Sequence, residues 1–241
     1  MDHMNVTMKR IFIYIFGLFF LSLGVSFSIE AALGVSPVSS LAYAFALTSG
    51  LSVGLMTVVA NVLFIIIQVI LRRRLYLRDS IVQLIIAFLF GFFIDITLLI
   101  VQLLPTPETL VMQWGFLLIS LCLMPIGLLG CFSVKFTLMP YDELTHVISE
   151  TFNINLSKAK IYGDSLSVVM AALVCLIFIQ SLGSVGIGTI VAAYFVGKIL
   201  GWLTKRYQKY IIQWVNKSKE HTPKKPEDKV VLQDESTSIT P

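Results

Sequence analysis

Apolar positions along this chain neither alternate nor recur at a helical spacing. They run on in blocks of about twenty residues, near 11–30, 53–71, 80–104, 112–132, 161–181 and 185–204. At about 1.5 Å of rise per residue, helices of that length match a hydrocarbon core about 30 Å thick, so the pattern predicts six membrane-spanning helices. The first block follows Lys9 and Arg10, as the core of a secretory leader would. It is too long for that role and is followed by no small-x-small cleavage site, so it counts as a span. Two stretches break the pattern: LGVSPVSSLAYAF at 33–45 and FTLMPYDELTHVI at 136–148. Ser36 suits a helix N-cap, and Pro37 suits the first helical position, where no N–H is needed. Segment 37–49 would reach only about 20 Å as a helix, short of a full crossing.

The two broken stretches are echoes of one another. Pro140 lies 103 positions after Pro37. The same displacement pairs Gly24 with Gly127, Leu41 with Leu144, Thr48 with Thr151 and Asn61 with Asp164, and a displacement of 106 then pairs Gly91 with Gly197. Each half reads span, short Pro-led helix, span, span. Three spans is an odd number, so the halves insert in opposite senses. Inverted repeats with interrupted helices are a transporter arrangement, with the substrate site near the midplane at the half-helix tips. The fold expected is an all-α polytopic membrane protein of about six transmembrane helices in two inverted repeats. The expected organisation is an N-terminal segment 1–10, a first repeat 11–104, an outer loop 105–111, a second repeat 112–206 and a charged, mostly disordered tail 207–241.

Composition changes little in this picture, and charge orients it. The chain is 56% hydrophobic and 13% charged, against about 25% charged in a soluble domain. Of its 18 lysines and arginines, 17 fall in the N-terminus, the 72–78 loop, the connection between the fourth and fifth spans, and the C-terminal region. The connections near 31–36, 105–110 and 182–184 carry none. The positive-inside rule then places both termini in the cytoplasm of a plasma-membrane protein, with Pro37 toward the outside and Pro140 toward the inside. The net charge of +4 is therefore a topology signal and predicts no nucleic-acid partner. Cys122, Cys131 and Cys175 lie in apolar runs without a C-x-x-C pair, as buried small hydrophobes would.

The stretches LGVSPVSSLAYAFALTSGLSVG, MPYDELTHVISETFNINLSKAK and VGIGTIVAAYFVGKILGW resemble the YitT/YczE family of bacterial integral membrane proteins. The resemblance covers about residues 10–205. It implies a membrane protein with a suspected transport role and names no substrate. The chain departs from the family pattern at Thr137-Leu138-Met139, which replaces a glycine-rich approach to the second proline.

Ionisable groups inside a bilayer are costly and are functional candidates by default. Asp95 and Lys198 interrupt spans, and Asp164 sits a few residues into its own. Lys198 suits either a counter-ion role for one of these aspartates or snorkelling to the interface. In the second short helix, Asp142, Thr145, His146 and Ser149 share one face, which suits a cytoplasmic amphipathic helix or a site lining. The candidate binding residues are Asn61, Asp164, Asp95, Asp142, His146 and Ser39. The N–H groups at Ser39 and Asp142 would face an anionic part of the solute. Pro37, Pro140, Gly24 and Gly127 are structural candidates. GDSL at 163–166 lies within a predicted span, and GSVGIG at 183–188 lacks a strand–turn–helix context, so neither carries its usual chemistry. No metal-ligand spacing, cofactor motif or catalytic constellation is present. The functional expectation is a carrier or channel for an unidentified small solute, and no enzyme. The alternative is an accessory or regulatory protein acting with a membrane partner or a second copy.

Overall fold

The computed structural model describes residues 2–74, 76–134 and 136–216. Among these there are eight helices and no strand: α1 Asp2–Glu30, α2 Pro37–Ser49, α3 Val53–Arg72, α4 Leu77–Gln102, α5 Leu110–Ser133, α6 Pro140–Thr151, α7 Leu156–Phe178 and α8 Ile187–Asn216. Six of them are long and apolar enough to cross a membrane, all except α2 and α6. These match the six apolar blocks, with shifted ends. The helical parts of the two termini are longer than expected: α1 begins at Asp2, and α8 runs through 207–216, a stretch expected in the tail. Tyr210, Ile211 and Trp214 face Phe12, Phe16 and Ile126 across an apolar groove, and Lys9 Nζ of α1 lies 4.9 Å from the Trp214 ring centroid. The remainder of the expected tail lies outside the described residues.

Five helices start where the sequence supplies a proline or a capping side chain. Pro37 and Pro140 occupy first-turn positions of α2 and α6. Ser52, Thr109 and Asn155 cap α3, α5 and α7 by accepting from the N–H of Leu55, Met112 and Ser157. Ser36 sits at the N-cap of α2 but caps it through its carbonyl; its hydroxyl donates to Ser39 Oγ at 3.2 Å. The turn into α2 depends on Gly34, whose φ of 99° is open to glycine and strained for other residues. Its backbone presses on Gly186, and the turn is tied to the start of α8 by Val35 N–H to Ser184 O and Gly188 N–H to Leu33 O.

The packing repeats itself between the halves. α1 and α5 form the central pair and run antiparallel: Gly24 meets Met124, and Gly127 meets Leu21. These are one contact seen twice at the displacement of 103. α4 packs along α1, and α8 along α5. The α1–α4 contact runs parallel, through a Phe19–Phe93 ring pair, the Ser26–Thr97 hydroxyls at 2.8 Å and Gln102 donating to Glu30 at 3.0 Å. Each short helix lies between α3 and α7, touching the long helix of the other half as well as its own. Val35 and Met139, the residues leading into the two short helices, both enter the main apolar core beside Leu18, Val25 and Met124. The two interruptions thus converge on the centre of one molecule.

Candidate functional site

A cavity of about 160 Å³ lies at that convergence, lined from both halves. Ser36, Pro37 and Ser39 reach it from the α2 tip, and Met139, Tyr141 and Asp142 from the α6 tip. Thr57 and Asn61 of α3 face it, as do Lys160 and Asp164 of α7. The rest of the wall is mostly apolar and includes Phe64, Phe90, Phe132 and Val196. Asn61 and Asp164 occupy equivalent positions in the repeat and line the same cavity. The register explains this: each lies two turns into its long helix, on the face that meets a short-helix tip.

The polar end of the cavity is built by α6 and α7. Tyr141 donates its hydroxyl to Asp164 Oδ1. Its ring packs edge-on against Phe64 at 5.3 Å between centroids. Lys160 is one helical turn before Asp164, on the same face, and its Nζ lies 3.5 Å from Asp142 Oδ1 and 5.2 Å from the Tyr141 ring centroid. Burial raises the Asp142 carboxyl pKa above its ordinary value of 3.8, and the Lys160 ammonium pulls it back in part. Burial also raises the Tyr141 phenol, with Asp164 adding to the effect, so Tyr141 stays a neutral donor. At Asn61, Nδ2 donates to its own helix at Thr57 O, and Oδ1 accepts from no described residue.

Other expected site residues fall elsewhere. Asp95 does not line the cavity. It accepts from Ser52 Oγ at 2.8 Å and from Gly54 N–H at 2.7 Å, which fastens the start of α3 to α4. A carboxylate at a helix N-terminus meets unpaired donors and a favourable dipole, and that is its role here. His146 is half-buried on α6 and does not reach the cavity. Thr145 is buried and Val147 fully so, because α6 is held between α3 and α7. Ser39 lines the cavity, but its N–H is taken by Ser36 O at 3.0 Å and does not await an anion. Lys198 pairs with neither aspartate; it is exposed and reaches Tyr194 on its own helix at 3.5 Å. Gly24 and Gly127 lie in the close contact between α1 and α5. Cys131 and Cys175 are buried, whereas Cys122 is exposed, and all three are free thiols.

Tyr141 and Lys160 were missed by sequence reasoning. Lys160 counted only as a loop charge, although its spacing of four from Asp164 was a usable signal. Tyr141 carried none, because its partner is 23 residues away on another helix. Gln68, which donates to Pro140 O at 2.7 Å and anchors the α6 tip, was equally silent. No group of three or more His, Cys, Asp or Glu able to hold a metal occurs among the described residues.

The chain is 32% identical over 187 residues to an uncharacterized protein, YyaS, of Bacillus subtilis (strain 168), covering 78% of this chain and 88% of that one. No solved structure matches it. The family described as DUF6198, of unknown function, matches residues 8–205, and this multi-pass helical chain belongs to it.

Proposed function

We propose that this chain is a plasma-membrane carrier or channel that moves a small solute through the cavity between its two halves. One observation carries the reading: residues from both repeats and from both short-helix tips line one space. Solute sites at the meeting of inverted repeats are built in this way. The orientation that goes with it has both termini in the cytoplasm, α2 re-entering from outside and α6 from inside. It is supported by the distribution of 17 of 18 basic residues and by the 13- and 12-residue lengths of the short helices. Kinship with the YitT/YczE proteins is part of the same proposal and rests on the sequence stretches that resemble them.

Purified protein in liposomes tests transport. Flux of a solute chosen from amino acids, amines, vitamins and ions is expected, and Ala60→Trp, which fills the cavity, should abolish it. Orientation is tested in intact cells with an impermeant thiol reagent on a Cys122→Ser background. Cysteines at Thr106 and Leu182 should react from outside, and one at Tyr76 should not. Ser184 is unsuitable for labelling because it is buried against Cys175.

A second reading, an accessory protein acting with a membrane partner, has its own observation. The apolar windows of α7 and α8 are only 17% buried, against 44% and 39% in α3 and α4. A partner would cover that face. Flux from the purified chain alone decides against this reading; flux only on co-reconstitution with a co-purifying partner decides for it.

A further inference from the structure

We infer that the cavity binds a small organic cation: an ammonium group on an apolar body about the size of a six-membered ring. The inference deepens the transport reading and uses the same cavity. Size sets the first limit. The cavity measures about 160 Å³, and an apolar protein cavity of about 150 Å³ admits benzene.

Charge and hydrogen-bonding capacity set the second. The acidic and basic side chains of the lining are Asp142, Asp164 and Lys160, two carboxyl groups against one ammonium. Asn61 is only 6% exposed, lines the cavity and offers an Oδ1 that accepts from no described residue. An amide oxygen left open toward the cavity can accept a ligand N–H. Asp164 takes the Tyr141 hydroxyl on Oδ1, and Oδ2 has no described donor. An anionic solute would meet two carboxylates and find the Ser39 N–H already taken.

Aromatic rings set the third. Phe64, Phe90, Phe132 and Tyr141 stand in the wall, and the faces of such rings attract desolvated cations. The protein already places one ammonium in this setting. Lys160 Nζ sits 5.2 Å from the Tyr141 centroid and 3.5 Å from Asp142, with 48% of its side chain exposed. It is a tethered competitor, able to swing out when a free cation enters.

The test is binding to the purified full-length chain in detergent, by calorimetry and thermal shift at pH 7. The probes are piperidinium, its neutral ring isostere tetrahydropyran, and the similar-sized anion pentanoate. Piperidinium should raise the unfolding temperature saturably, and the other two should not. Asp164→Asn should weaken piperidinium by about tenfold or more, and Asn61→Ala by a smaller factor. Lys160→Gln should tighten it, a result that a structural lysine would not give. Because Asp164 also holds Tyr141, Tyr141→Phe is the companion variant: it breaks that hydrogen bond, keeps the carboxylate and should still bind. Equal shifts by tetrahydropyran, no shift by piperidinium, or unchanged affinity in a folded Asp164→Asn protein would each overturn the proposal. Binding without flux in liposomes removes the carrier reading and keeps the cation site. Flux of a neutral or anionic solute without piperidinium binding does the reverse.

Discussion

The α3–α4 seam and its counterpart, α7–α8, are equivalent in the repeat and opposite in packing. Gly54 and Gly91 bring α3 and α4 together so closely that their backbones touch. Asp95 then fastens the start of α3 through Ser52 and Gly54. In the second half the equivalent positions are Asn155, Ser157, Gly197 and Gly201. Asn155 still caps its helix. Gly197 and Gly201, however, have nothing within 4 Å of where a Cβ would stand, and α7 and α8 hardly meet. The second seam thus lacks both the glycine on α7, where Ser157 stands, and the acid on α8. A smooth surface permits approach, and a directed polar contact holds it. The acidic fastening exists in one half only, because glycine stands at 201 where aspartate stands at 95.

The comparison breaks most visibly at its closest contact. Gly54→Ala drives a methyl group into the Gly91 carbonyl and the Asp95 carboxyl, where no flexible side chain can yield to it alone. It should cost about 1–3 kcal/mol or more by overpacking, while Gly197→Ala should leave the unfolding midpoint in detergent unchanged or slightly raised. An equal loss in both variants would mean that the second seam also closes in solution.

Asp95→Ala comes next. It removes two charge-assisted hydrogen bonds and leaves Gly54 N–H without its acceptor, which should cost about 1.5–3 kcal/mol in chemical or thermal unfolding. Full retention of stability would show that the glycine contact suffices.

A third test concerns the two short-helix tips, where Ser39 in the first half answers to Asp142 in the second. The Asp142 carboxyl has a folded pKa above 3.8, raised by burial. Its contribution to stability is then fully present below that value and lost as pH rises through the raised pKa. Asp142→Asn should therefore gain on the parent as pH rises, compared by unfolding midpoints across an acid-to-neutral series. Ser39→Ala should show no such trend. A widening gap in the opposite direction would mean that Lys160, not burial, controls the group.

The smallest effect is expected where α3 meets α6. Arg72 and Glu143 form an ion pair with side chains 25% and 20% exposed, whereas the equivalent positions, Cys175 and Ser40, form none. Arg72→Gln should cost under about 1 kcal/mol, diminished further by salt. A larger loss would make this pair a principal lock of the α6 tip.

The sequence by itself determined the solvent, the number of long helices and the repeat. A run of about twenty apolar residues has few stable fates other than a spanning helix, because backbone groups in lipid must be paired within the segment. The two prolines marked the short helices because proline is cheap only in a first turn. The displacement of 103 was legible from Gly24 and Gly127, whose contacts with Leu21 and Met124 repeat at that spacing. The partners across helices were decided by the tertiary structure alone. Asp95 and Asp164 look alike as acids within apolar runs, yet one fastens a helix start and the other faces the cavity. The difference lies in which neighbour each meets. Tyr141 meets Asp164, and Gly54 meets Asp95, through contacts between elements that no local period encodes. The open α7–α8 seam is of the same kind. The first half has glycine on both helices and Asp95 to fasten them, whereas the second has Ser157 and Gly201 at the equivalent positions, and the packed structure shows only the first seam closed.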